Sequence, residues 1–139
     1  MSQPLSIRHY SIAVHDLDEA AEDYRSRFGM EVIGERAHNA IGKFDFVSMG
    51  FAGQVFLRLI TPVSEESPVF RLMKERENSF NPHGEGLYSM VYESDDVEAL
   101  ATQVESNGGR ITRVPNRTNI FIHPTSSHFV FMEIAQREK

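Results

Sequence analysis

The stretch SIRHYSIAVHDLDEAAEDYRSRFGMEVIG, residues 6–34, is answered 80 positions later by GLYSMVYESDDVEALATQVESNGGRI, residues 86–111. Both pass from an apolar-alternating run to an aspartate, then into a helical pattern, then to glycine. The run carries Ile7, Ile12 and Val14 before Asp16 in the first copy, and Leu87, Met90 and Val91 before Asp96 in the second. Each aspartate suits a helix N-cap, where its carboxylate accepts from unpaired amides of the first turn. Glu19 stands at capping-box spacing from Asp16. Leu17, Ala20, Ala21, Tyr24 and Phe28 then recur at helical spacing until Gly29, and Val97, Leu100, Ala101 and Val104 do so until Asn107, Gly108 and Gly109.

Three strand patterns follow each helix. They are MEVIGER (30–36), KFDFVSM (43–49) and QVFLRLI (54–60) in the first half, and RITRV (110–114), NIFIH (119–123) and FVFMEIA (129–135) in the second. The order βαβββ therefore occurs twice, in module 1 (5–62) and module 2 (86–136) of a single domain, 1–139. The predicted fold is α+β, with a curved eight-stranded mixed sheet around one cavity and the helices on its outer face. The linker, 63–85, carries a short helix that Ser67 caps and Pro68 opens. Phe70, Leu72 and Met73 give it a face to bury, over or beside the sheet. The run KEREN, 74–78, reads as a solvated helical face.

Composition narrows the functional classes. A chain of 139 residues buries roughly two thirds of its unfolded surface. The net charge of −6 comes from interspersed acids and bases, which gives no footprint for nucleic acid. No apolar run approaches the roughly 18 residues of a membrane span, and the first ten residues lack a signal-peptide pattern. With no cysteine, thiolate chemistry and disulfides are ruled out. A cytoplasmic protein is the expectation.

Strand alternation then selects the inward face. If Ile12 and Val14 pack beneath the first helix, His9, Ser11 and Ala13 face the cavity, and Ser89 and Val91 follow by the repeat. Phe56, Arg58 and Ile60 come from the fourth run, and Phe129, Phe131 and Glu133 from the last. Apolar walls with a few convergent polar groups describe a ligand pocket. The alternatives are an internally hydrogen-bonded His9 and a buried Arg58–Glu133 pair, which is a poor stability device by itself. His83, His123 and His128 fall near turns, with surface positions as their default. His38 and Asp45 could reach the pocket mouth, their facing left open by the pattern.

HYSIAVHDLDEAAEDYRSRFGMEVIGE (9–35), GEGLYSMVYESDDVEAL (84–100) and FIHPTSSHFVFMEI (121–134) resemble the vicinal-oxygen-chelate superfamily of glyoxalases and bleomycin-resistance proteins. Within it, the methylmalonyl-CoA epimerase branch is most similar. The resemblance implies a divalent ion held by two histidines and two Glu or Gln residues. His9 matches the first histidine and Glu133 the last carboxylate, but Ser89 stands for the second histidine and Arg58 for the remaining ligand. Arginine stays protonated in proteins and is no ordinary ligand. The branch's base glutamate falls within AHNAIGK (37–43), nearest Asn39, which cannot act as a base.

The expected activity is therefore that of an epimerase, isomerase or lyase moving a proton next to a carbonyl, without the usual metal. His9 and Glu133 are the catalytic candidates; Arg58, Ser89, Phe56, Phe131 and His123 are the substrate-binding ones. No cofactor is expected; an ion, if retained, would rest on His9 and Glu133. The expected partners are a small molecule bearing a carbonyl or carboxylate and, as the resemblance implies, a second copy in a homodimer, with neither nucleic acid nor membrane. The alternative is a non-catalytic protein that sequesters a ligand.

Overall fold

The computed structural model describes residues 5–138, which form two compact units: Tyr10–Tyr88, and residues 5–9 with 89–138. Among the described residues there are three α-helices and nine strands, an α+β fold with parallel and antiparallel pairs. Strand β1 (Ser6–Ala13) contributes to both units, as does β6 (Gly86–Ser94).

In the Tyr10–Tyr88 unit, α1 (Leu17–Phe28) follows β1, and β2 (Glu31–Val32), β3 (Ala37–Asn39), β4 (Phe44–Phe51) and β5 (Gln54–Pro62) follow α1. The end of β1 runs parallel to β5; β5 is antiparallel to β4, which also pairs with β2 and β3. In the other unit, α3 (Val97–Ser106) leads to β7 (Ile111–Arg113), β8 (Ile120–Ile122) and β9 (Met132–Gln136). Here β6 runs parallel to β9, β9 antiparallel to β8, and β8 antiparallel to β7. The same pairing scheme is thus present twice.

Local chemistry explains the helices. The Asp16 carboxylate accepts from the Glu19 amide at 3.0 Å, and Asp96 accepts from Ala99 at 3.0 Å. Gly29 ends α1 at φ 70°, a left-handed position that costs glycine little. Beneath α1, alternate strand residues Val47, Met49, Leu57 and Leu59 bury with Val14 and Leu17. Beneath α3, Ile120, Ile122 and Ile134 bury with Val97 and Ala101. The helix α2 (Pro68–Arg76) begins where Ser67 accepts from Val69 N at 3.2 Å and donates to Gly42 O at 2.6 Å. It folds over the sheet face opposite α1, with Val69 and Met73 packed on Ala13 and Ile60.

Several expectations need correction. There are nine strands rather than eight, because the MEVIGER run forms strand only at Glu31–Val32 and Ala37–Asn39 adds a strand of its own. The last strand begins at Met132, not Phe129. His128 and Phe129 take φ of 54° and 68°, which turns the chain and leaves Phe129 exposed to solvent. Phe56 does not stand beside Arg58. The β4–β5 register shifts between Met49 and Gly50, and across this bulge Phe56 packs against the cluster under α1. Gly50 is required there, since a Cβ would lie 1.8 Å from Gln54 O.

Candidate functional site

On the Tyr10–Tyr88 unit, the face opposite α1 carries Arg58. It is paired in register with Ser11 on β1 and with Ser48 on β4. Its guanidinium lies 4.5 Å from the centroid of the Phe46 ring, a cation–π arrangement. Ile60, two residues along the same strand, was expected to line a cavity; instead it is fully buried under α2. One end of this face is therefore packed by the linker helix, and Arg58 marks the chemically equipped part.

On the other unit, the face opposite α3 carries Glu133. It lies in register with Val91 on β6 and Phe121 on β8. The Asn119 amide donates to Glu133 Oε2 at 2.7 Å, and the Phe121 and Phe131 rings stack 5.3 Å apart. Ser89, two residues before Val91, is buried, as is His9. An oriented carboxylate beside stacked aromatic rings is an arrangement suited to proton transfer on a partly apolar substrate.

His123 caps the turn at Pro124–Ser126: its Nδ1 lies 2.7 Å from Thr125 Oγ1 and accepts from the Thr125 amide at 3.3 Å. Asn39 is also committed locally, accepting from Gly42 N at 2.8 Å. His38 and Asp45 pair at 2.8 Å, in register across β3 and β4 and on the same side of β4 as Val47 and Met49. The hydrogen bond from His38, with help from Arg36, outweighs burial and holds the Asp45 carboxyl below its ordinary range.

A cavity of about 320 Å³ in the Tyr10–Tyr88 unit lies elsewhere, beside α1, among Ile12, Val14, Tyr24, Phe28, His15 and Glu85. His15 and Glu85 are engaged with each other there: His15 donates its backbone N–H to Glu85 at 2.9 Å, and the His15 ring stacks on His83 at 3.7 Å. Burial pushes the Glu85 carboxyl up, but the bonds and charge from His15 outweigh it, leaving a lowered pKa. None of the residues selected from strand alternation, apart from the helix-side Ile12 and Val14, lines this cavity.

The four positions at which the resemblance puts metal ligands hold an imidazole, a hydroxyl, a guanidinium and a carboxylate. Among the described residues, no three His, Asp or Glu side chains gather closely enough to hold an ion. This donor set does not fit a four-ligand divalent site.

Asn119, Phe121, Phe46 and Ser48 were not singled out from the sequence. Their signal was period-2 alternation: Asn119 and Phe121 share a face on the NIFIH strand, as do Phe46 and Ser48 on KFDFVSM.

With two repeated strand–helix units and equipped faces opposite their helices, the chain is of the vicinal-oxygen-chelate class. A family model described as a glyoxalase-like domain matches residues 7–129, and the chain belongs to that family. It is 25% identical to the ethylmalonyl-CoA/methylmalonyl-CoA epimerase of Cereibacter sphaeroides over 94% of this chain and 96% of the relative. The crystal structure of methylmalonyl-CoA epimerase from Mycobacterium tuberculosis superposes with a TM-score of 0.79 at 24% identity, covering 96% of this chain and 88% of that one. A variant of the Streptomyces coelicolor epimerase in complex with 2-nitronate-propionyl-CoA gives a TM-score of 0.75 at 26% identity, covering 96% and 97%.

Proposed function

We propose that this protein is an epimerase-type enzyme that moves a proton at the carbon next to the carbonyl of a CoA thioester. The observation that carries the reading is the Glu133 carboxylate, held through Oε2 by Asn119 beside the Phe121–Phe131 stack. Oε1 is the oxygen we assign to the proton. Glu133 takes the proton from carbon, the electron pair moves onto the thioester oxygen as an enolate, and His9 returns a proton to the opposite side. A positioned acid or base of this kind contributes typically 10²–10⁴ in rate. On the Tyr10–Tyr88 unit, the Arg58 guanidinium is a fork of the kind that binds carboxylate or enolate oxygens bidentately.

The donor set supports chemistry without the family's usual divalent ion. Family membership and the likeness to epimerases favour an enzyme. A second reading, ligand sequestration without chemistry, is favoured by Asn39, which replaces the base glutamate and is tied into its own turn.

The native protein, incubated with methylmalonyl-CoA in D2O, is expected to place deuterium at the α-carbon at the same rate with or without chelator. Tight binding with no exchange supports sequestration instead. Exchange that chelator abolishes overturns the metal-independent part alone.

A further inference from the structure

The cavity beside α1 lies wholly within the Tyr10–Tyr88 unit, and one carboxylate in its wall is held both by backbone and by side chain. Asn81 clamps the Glu85 backbone. Its Oδ1 accepts from the Glu85 amide at 3.0 Å, and its Nδ2 donates to the Glu85 carbonyl at 2.8 Å. His15 grips the side chain through its backbone N–H and its Nδ1, each 2.9 Å from Oε2. The His15 ring is itself set by His83, which stacks on it with 11° between the planes. Both contacts go to the same oxygen. Oε1 receives no hydrogen bond among the described residues, and the side chain is 38% exposed. Burial alone would raise the Glu85 pKa, but the bonds and charge of His15 lower it, so the carboxylate is anionic at neutral pH.

The rest of the cavity supplies an apolar surface. Ile12 and Val14 come from the β1 side, and Tyr24 and Phe28 on α1 pack edge to face at 5.2 Å. Burial, with Tyr10 and the Glu85 charge nearby, raises the Tyr24 pKa, so its phenol stays neutral. The charges around the rim are unequal: Asp16, Glu19 and Asp23 join Glu85 against one guanidinium, Arg27, which lies 3.6 Å from Asp23. The complementary ligand has an apolar body and a cationic N–H donor. An ammonium gains a charge-assisted hydrogen bond at the carboxylate and attraction to the aromatic rings, neither of which a neutral donor gains in full. At about 320 Å³ the space is at the lower end of the range for small-molecule sites. We infer that this cavity binds a small primary amine on an aromatic or aliphatic body, its ammonium donating to Glu85 Oε1. None of the groups assigned to proton transfer lines it, so the site stands whatever the exchange assay returns.

Phenethylamine, 2-phenylethanol and 3-phenylpropionate share an aromatic body and differ in charge, and calorimetric titration of native protein ranks them. At neutral pH phenethylamine should bind at least about tenfold more tightly than the alcohol, and phenylpropionate should not bind. Glu85→Gln keeps an acceptor for His15 and should erase the preference while leaving alcohol binding unchanged. Phe28→Ala, at a position already 58% exposed, should weaken amine and alcohol alike. In native protein, phenethylamine should shift the amide NMR signals of His15, Glu85 and Gly86, a readout that needs no variant to fold. Equal affinities of native protein for amine and alcohol overturn the inference, as does a preference retained in Glu85→Gln. Unchanged binding in Phe28→Ala, or shifts that spare those three amides, places the amine elsewhere and overturns it as well.

Discussion

Arg58 and Glu133 occupy the same place in the two halves of the repeat. Ser11 and Val91 are related by the offset of 80, and each lies in register with one of them across a parallel pair. The partners match as well. On the neighbouring antiparallel strand, Ser48 faces Arg58 and Phe121 faces Glu133; two residues upstream of these stand Phe46 and Asn119. Phe46 receives the guanidinium on its ring, whereas Asn119 donates to the carboxylate. On the helix sides the halves stay alike, with Leu17 and Val97, or Ala21 and Ala101, at equivalent positions. Packing constrains volume and polarity together, so those positions diverge little. The opposite face must satisfy only its own side chains. A duplicated unit can therefore place a cation in one copy and a carboxylate in the other.

The strongest effects should fall where the halves agree. Leu57→Ala and Ile134→Ala each remove a fully buried side chain from beneath a helix, and each should cost about 2–5 kcal/mol in denaturant unfolding. A cost near zero for either would show that its helix does not depend on that cluster. Gly50→Ala should also destabilise substantially, since its Cβ would overlap the Gln54 carbonyl oxygen; unchanged melting would refute the bulge geometry. The caps allow a finer comparison. Asp16→Ala and Asp96→Ala should each lose about 1 kcal/mol and match within a few tenths. A large difference would mean that the two helices are anchored by different means.

The smallest effect has no counterpart in the other half. Asp45, on β4, has its folded pKa lowered mainly by His38, so the unfolded chain binds the proton more tightly. Its contribution is complete above the ordinary carboxylate range near pH 4 and is lost as pH falls through the lower, folded value. Asp45→Asn should reduce stability at neutral pH and flatten the acid limb of the stability profile. An unchanged acid limb would remove the pair from the account.

Much of this comparison was legible in the sequence. The repeat, the two aspartate caps and the alternation that buries Ile12 and Val14 all follow from local periodicity. The departures arose where tertiary geometry intervened. The bulge at Met49/Gly50 redirected Phe56, and the left-handed turn at His128–Phe129 shortened the last strand. The run at 74–78 is exposed apart from Arg76, which is half-buried and follows Val69 and Met73 at helical spacing. His9, Arg58, Ser89 and Glu133 could be assigned to strand faces from alternation. The partner of Glu133 could not, because Asn119 lies just ahead of another strand, β8, and depends on its register.

The most direct test follows deuterium entering the α-carbon of methylmalonyl-CoA in D2O, comparing native protein with Glu133→Gln. Glutamine keeps the size of the side chain and can still accept from Asn119, so fold and thioester binding should persist. The account predicts an exchange rate lower by at least about a hundredfold, with melting temperature and thioester affinity little changed. Exchange at the native rate in Glu133→Gln would contradict it.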